Sequence, residues 1–591
     1  MFTIHRQGGV FVGIALALLG ACGTSKNGDR FGDAAVSDGG RVDGSLPDTG
    51  VLGGSDADTT CPAQCSIDYH DVIDCHGNVV TKCGDGEACD PVTLKCNVAC
   101  DVASANKQSV GCDYYSVYLK QQSNEDRFCF ATIVANTWKS PAKIAVDFNG
   151  SSLDVSKFAW HPKGSGPGLT YQAYDPSIGI PAGEVAILFL TGAVGEAPQC
   201  PKAAAKTSGV MVNGTTKGVG FHVRSDVPVV AYQINPYGGG DAAVTGSSLL
   251  IPTSAWDKNY IAANAASSTT AGKPTLNIVA AEDNTTVEML PVKAIAAGTG
   301  FPAGAQGVKY TFTLNAGQHA QFMQDAELTG SVVKADKVVG LFAGHTCMNV
   351  PTGVSYCDHG EQMIPPVQAM GSEYVGVMYR PRKSEPGIWR VIGAEPGTQL
   401  TWSSNVGGPA ALKAGQFVDF ETSEPFIVKS QDSSHPFLLL SYMSGSNWKT
   451  GLNGYGDADV VLSVPPQQYL SRYVFFADPT YPEGNLVVVR KKNGAGNFVD
   501  VNLDCAGNLT GWQAIGDYEW TRADLITGAF QNVGSCSSGR HEMTSTAPFG
   551  LWVWGWGTPL TSTFTANVSY GYPAGMNLQP INQLVIEPVP R

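Results

Sequence analysis

Six side chains between positions 345 and 361 are of types that could do chemistry: His345, Cys347, Cys357, Asp358, His359 and Glu361. His-x-Cys followed by Cys-x-His offers four zinc ligands, and a neighbouring carboxylate such as Glu361 could activate a metal-bound water. Two features count against that chemistry. The histidines stand outside the His-Glu-x-x-His helical pattern of zinc hydrolases. A thiolate site also needs reduced cysteines, and the start of the chain argues for an oxidising compartment. The competing reading is a loop closed by a Cys347–Cys357 disulfide, with the histidines and the aspartate capping turns, and it is preferred. No metal or cofactor is expected. His345, Asp358, His359 and Glu361 then stand as candidates for a binding loop.

Other catalytic templates fail. The chain has neither a Gly-x-Ser-x-Gly elbow nor a phosphate-cradling Gly-x-x-x-x-Gly-Lys-Ser run. Carboxylates such as Asp358, Glu361 and Glu373 occur, but a glycosidase needs two that face each other, and a sequence does not show facing. The sequence makes no positive case for an enzyme. A zinc-dependent surface hydrolase and a structural envelope protein are kept as the alternatives to a binding protein.

These residues belong to a phrase written four times. It is anchored at Pro228, Val338, Pro436 and Pro548, so it recurs roughly every 100–110 residues. Around each anchor an extended run meets a short polar stretch and then an apolar run, as in Ala335-Asp336-Lys337-Val338-Val339-Gly-Leu341-Phe342. The polar stretch reads as a tight turn between two strands. Ile251-Pro252, Pro365-Pro366 and Pro465-Pro466 recur in step, with Tyr572-Pro573 at the last copy. Pro181-Ala-Gly183-Glu184, Asn315-Ala-Gly317-Gln318 and Lys413-Ala-Gly415-Gln416 mark reversals upstream.

The composition agrees with an all-β chain. Of 591 residues, 43% are hydrophobic and only 15% charged, with 70 glycines and 35 prolines. A net charge of −14 lacks the basic footprint that nucleic acid requires. Each copy has the length for one antiparallel β-sandwich or for two four-stranded propeller blades. Tandem sandwich-like units are favoured. The propeller stays as the alternative, because Tyr114 to Leu119 could supply a partner strand to the last copy and close a ring. Trp552, Trp554 and Trp556 share one strand face. They read as core, with a ligand-stacking platform as the sharper option.

The N-terminal part divides into three. Residues 1–22 read as a lipoprotein signal peptide: a short basic start, the apolar run Val10 to Leu19, then Leu19-Gly20-Ala21-Cys22, which resembles the bacterial lipobox with Cys22 as the lipidated residue. Residues 23–60, rich in Gly, Asp and Ser, read as a disordered tether. Residues 61–112 hold Cys61, Cys65, Cys75, Cys83, Cys89, Cys96, Cys100 and Cys112, which read as a disulfide-stapled module whose connectivity the sequence leaves open. Of 15 cysteines, the lipidated one leaves an even remainder. Cys347 with Cys357 and Cys505 with Cys536 are the natural local pairs, and Cys129 with Cys200 is the looser one. Residues 113–591 are the repeated β domain.

The repeated phrases together resemble the N-terminal domain of the IgGFc-binding protein family. The resemblance rests on Ala335-Asp336-Lys337-Val338-Val339-Gly-Leu-Phe342-Ala-Gly344-His345-Thr-Cys347, on Cys357-Asp358-His359-Gly-Glu361-Gln362-Met-Ile-Pro365-Pro366, and on Ser569-Tyr570-Gly571-Tyr572-Pro573. It covers most of Tyr114 to Pro580. It implies a secreted or surface binding role and brings no catalytic residues. Taken with the lipobox, the expectation is a lipid-anchored bacterial outer-membrane protein, exposed at the surface, that binds a protein or glycan. Rigid strands position loops for such work, and the loops Cys347 to Cys357 and Pro236 to Ser248 are the first candidates.

Overall fold

Val-, Tyr-, Phe- and Thr-rich runs between glycine turns fold as strands because branched and aromatic side chains pack well on a pleated surface. In the computed structural model these strands assemble into four units of one build. Residues 61–122, 128–192, 199–239, 244–449, 451–561 and 566–590 are described. Residues 1–60, where the signal peptide, the lipidated Cys22 and the tether are expected, lie outside them. Among the described residues no helix is long and apolar enough to cross a membrane.

Each unit has an opening strand, a spanning strand and an inner strand. The opening strands are Val110–Ser116, Asp257–Ile261, Glu373–Gly376 and Leu470–Ala477. The inner strands are Gly246–Leu249, Asp358–Ile364, Asp459–Leu462 and Ser569–Pro573. Between them run the spanning strands Phe221–Asn235, Val332–Met348 and Gly539–Trp556, and in unit three the pair Phe426–Ser430 and Phe437–Met443. The first half of a spanning strand pairs with the opening strand, and the second half pairs with the inner strand. One strand therefore serves two packed sheets, bending where it passes from one to the other.

Those bends fall at the four anchors, and here the turn reading needs correction. Only unit three interrupts the strand, leaving two separate four-stranded sheets. In the other three units the strand runs on, with the register shifting against the opening strand. In units one and two the aspartate at the bend serves the neighbouring strand. Asp226 Oδ1 accepts from Lys143 N at 2.7 Å, and Asp336 Oδ1 accepts from Thr286 N at 2.8 Å. Local polarity therefore mimicked a turn. The glycine reversals were legible: Gly183, Gly317 and Gly415 have φ of 74°, 74° and 66°, a backbone that glycine adopts without strain.

Each unit is sandwich-like, and the four units close a ring. The inner strands neighbour one another around an axis. Gln362 of unit two donates to Ser247 O of unit one at 2.8 Å and to Gly571 O of unit four at 3.1 Å, and accepts from Leu462 N of unit three at 3.4 Å. One side chain touches all four units. The ends meet where Ser109 N donates to Met576 O and Leu578 N donates to Lys107 O. Tyr232 of unit one also stacks on Tyr572 of unit four, with centroids 4.4 Å apart. Tyr114 to Leu119 does not complete the last unit, because Val110–Ser116 pairs with Phe221–Asn235 and opens unit one.

Beyond the closure the C-terminal tail forms a strap over one face. Gln579 O accepts from Gln468 Nε2, Asn582 Nδ2 donates to Val367 O and Met370 O, and Asn259 exchanges two hydrogen bonds with Ile586. The cysteine-rich module carries the disulfides Cys61–Cys75, Cys65–Cys89, Cys83–Cys96 and Cys100–Cys112. It is seated on unit one, with Trp138 Nε1 donating to Asp85 O and Lys139 Nζ to Cys83 O. Trp552, Trp554 and Trp556 are buried. Trp554 and Trp556 pack against Tyr379, so they are core between units three and four.

Candidate binding face

The six side chains with chemical potential are brought close but not together. Cys347 and Cys357 are bonded to each other, as are Cys129 to Cys200 and Cys505 to Cys536. No thiolate is left there for zinc. His345 sits on the spanning strand, where Nδ1 accepts from Cys347 N at 3.0 Å and Nε2 faces Ser267 O at 3.0 Å. Those partners put the proton on Nε2. Burial depresses its pKa to about 3.

Asp358, His359 and Glu361 lie on the inner strand of unit two, whose side chains alternate between faces. His359 and Glu361 turn toward unit one, where Gln233 Nε2 donates to Glu361 Oε2 at 3.0 Å and His359 Nε2 stands 3.4 Å from the same oxygen. Burial holds the Glu361 carboxyl well above the carboxylate range and lowers His359 to about 3, so the two face each other uncharged. Asp358 turns the other way, toward the ring axis.

All four binding-loop candidates are corrected by position, since His345, Asp358, His359 and Glu361 are each 0% exposed. The reason is the ladder. It holds to His345↔Gly360 and picks up again at Met348↔Asp358, so only the residues between protrude. Among the described residues, two clusters bring three metal-ligand atoms within 4.8 Å: Cys61, Cys75, His76 and Asp504, Cys505, His541. Each contains disulfide sulfur.

The loop itself does form a surface feature. Asn349 Nδ2 donates to Tyr356 O at 3.0 Å across it, and Thr269 Oγ1 donates to Cys347 O at its base. Gly445 N of unit three donates to Val350 O at 2.7 Å, docking the loop on the neighbouring unit. Two adjoining hollows result, sharing Asn349 and Thr352. One, of about 320 Å³, is walled by Val350, Pro351, Ile388 and Tyr442. The other, of about 580 Å³, runs from Thr269 to Tyr356. Tyr356 is 54% exposed and has a left-handed φ of 64°, a conformation that marks strain in a non-glycine residue.

The inner wall holds Arg390, which sequence reading missed. Its guanidinium donates to Asp419 at 2.6 and 2.9 Å and to Glu327 of unit two at 2.5 Å, and lies 4.2 Å over Phe417. It locks units two and three beneath the groove. An arginine inside the apolar strand Ile388–Gly393 was the available signal. The Pro236 to Ser248 segment offers less surface, because Tyr237, Thr245 and Ser247 are buried and residues 240–243 lie outside the described set.

The all-β units close in a ring, with irregular loops gathered at one end over a paired-off charged wall. The chain belongs to the IgGFc-binding protein family, whose sequence model matches residues 246–555, from the inner strand of unit one to the spanning strand of unit four. No curated protein and no solved structure matches it.

Proposed function

We propose that this chain is an exported, lipid-anchored bacterial protein that displays the ring and captures a protein or glycan ligand on the loop face. The observation that carries the binding part is the double hollow at Cys347–Cys357, with the exposed Tyr356 at its rim. Tyrosine anchors many interfaces because it offers apolar area and a hydroxyl at low conformational cost. The family's descriptive name, IgGFc binding protein, makes IgG Fc the first protein probe. Anchoring rests on the Leu19-Gly20-Ala21-Cys22 motif.

Two experiments test the two halves. Full-length protein on a biosensor, offered IgG Fc, mucin glycoprotein and a glycan array in turn, is expected to capture at least one of them, and Tyr356→Ala with Thr352→Arg is expected to abolish that capture. Capture that survives both changes places the surface elsewhere. Labelled palmitate should enter the wild-type chain expressed in a two-membrane bacterium and be absent from Cys22→Ala. Equal labelling, or none in either, refutes the anchor.

A further inference from the structure

One strand recurs in every unit just after a glycine reversal: Val185–Thr191, Gln318–Met323, Phe417–Glu421 and Tyr518–Thr527. On its inward side it pairs with the same neighbour each time, Phe130–Asn136, Pro274–Ala280, Ile388–Gly393 and Glu483–Lys491 in turn. On its outward side the units differ. Unit one covers the strand with Ala159–Lys163, unit two with Thr216–Val219, and unit four with Gln513–Ile515 and Gln531–Asn532. Unit three lays no strand there among the described residues, and Phe417–Glu421 ends its four-stranded sheet.

Thr422 N donates to Gly387 O and Gly393 N to Gln416 O, both at 2.9 Å. The ladder bonds of this strand therefore fall on its even-numbered residues, and Phe417, Asp419 and Glu421 turn their N–H and C=O groups outward. Among the described residues no hydrogen bond reaches those outward groups. Unit two abuts the chain just before them, at Gly415, where a Cβ on Gly330 would fall 2.0 Å from the carbonyl oxygen. An unpaired edge of this kind is a template for another strand, and natural sheets usually cover it.

Side chains decide what pairs there. Asp419 and Glu421 share a sheet face with Arg390, Ile388 and Tyr442, the face that holds the hollow of about 320 Å³. Residues 414–428 contain Asp419, Glu421 and Glu424, all exposed, and no lysine, arginine or histidine. Arg390 offsets the charge of Asp419, whereas Glu421 has no ion pair among the described residues. A second copy of this chain would set these carboxylates against their own kind, which is unfavourable across a strand pair. A strand with lysine or arginine at alternate positions gains instead, and its aliphatic stems can lie along Ile388 and Tyr442. We propose that an extended basic segment of a partner protein adds to Phe417–Glu421 as an extra strand, pairing its backbone with the outward groups and sending alternate side chains toward Glu421 and the hollow. This deepens the capture proposed for the loop face and rests on it: the ligand is a protein, because a glycan has no peptide backbone to complete a ladder.

The test pans short random peptides displayed on phage against the full chain and, in parallel, against Glu421→Lys. Peptides with lysine or arginine at alternate positions are expected from the wild type and not from the variant. The best of them, synthesised and titrated by fluorescence anisotropy, should bind Glu421→Lys about tenfold more weakly. N-methylation of one alternate set of its amides should weaken binding about tenfold, and of the other set much less, because only one set faces the edge. Recovery of no peptide, enrichment of acidic or neutral ones, equal binding by Glu421→Lys, or equal loss from both methylated sets overturns the strand addition. So does sedimentation of the wild type as a dimer that Glu421→Pro dissolves, since the edge would then hold a second copy. The two proposals fail separately. Capture lost in Tyr356→Ala with Thr352→Arg but kept in Glu421→Lys overturns the edge alone. Peptide binding that depends on Glu421, while capture survives the loop changes, upholds the edge and overturns the loop.

Discussion

The two faces of the ring follow opposite rules. On the strap face the first three inner strands end alike, in a proline followed by one short 3-10 turn: Thr253–Ala255, Val367–Ala369 and Pro466–Gln468. The tail then spans this face, with the Asn582 side chain donating to Val367 O and Met370 O and the Gln579 carbonyl accepting from the Gln468 side chain. On the loop face every unit differs. The chain passes from Met348 to Asp358 through a disulfide loop, from Met443 to Asp459 through a glycine-rich one, and from Trp556 to Ser569 through a third. The comparison teaches that the repeat is uniform where the ring must close and free where it meets solvent. Holding falls to one face, and the proposed recognition to the other.

The strongest way to break this division is to cut the strap. Ending the chain after Met576 removes the bonds of Gln579, Asn582 and Ile586 and exposes the turns beneath. At about 1 kcal/mol net per hydrogen bond, the loss should be on the order of 5 kcal/mol. It is expected as a lower urea midpoint, with ligand capture by the surviving folded fraction unchanged. Unaltered stability would show that the tail is decoration.

Gln362→Ala attacks the axis. It removes three hydrogen bonds and leaves the carbonyls of Ser247 and Gly571 short of a donor in a buried site. A cost of about 3 kcal/mol is expected in denaturant unfolding. A change below about 1 kcal/mol would mean that the four units are held by their flanks alone.

Acid sharpens the comparison from the loop side. Burial keeps the folded His345 pKa near 3, against an ordinary value of 6.5. Below pH 6.5 the unfolded chain takes up a proton that the folded chain refuses, so this stability is present above pH 6.5 and lost as pH falls toward 3. At pH 4.5 the loss is on the order of 2–3 kcal/mol. His345→Asn keeps an acceptor for Cys347 N and should shrink the difference in urea midpoint between pH 7.5 and pH 4.5. An undiminished difference would show that His345 does not carry it.

Much of this plan was legible in the chain. The repeat length, the glycine reversals and the even cysteine count are local or periodic signals, and periodicity survives without knowledge of contacts. The bends at Asp226 and Asp336 misread as turns because a polar side chain that satisfies a neighbouring strand looks, in sequence, like one that satisfies its own backbone. The placement of Asp358, His359 and Glu361 was lost for a related reason. Three polar residues in four read as loop, yet here Asp358 faces the buried ring axis while His359 and Glu361 face unit one, where Glu361 meets Gln233 more than a hundred residues away. Arg390 was missed likewise, because an arginine in an apolar strand gains its role only from Glu327 and Asp419 around it.

The most direct test sets one variant from each face side by side. Tyr356→Ala with Thr352→Arg alters only exposed loop and should shift stability by no more than about 0.5 kcal/mol. Asn582→Ala strips two backbone carbonyls of their donor on the strap and should cost about 2 kcal/mol. Both are compared with wild type for capture of whichever of IgG Fc, mucin or glycan the full chain retains on the biosensor. The account predicts that capture disappears in the loop variant and persists in the strap variant. Capture that persists in the loop variant and fails in the strap variant would contradict it.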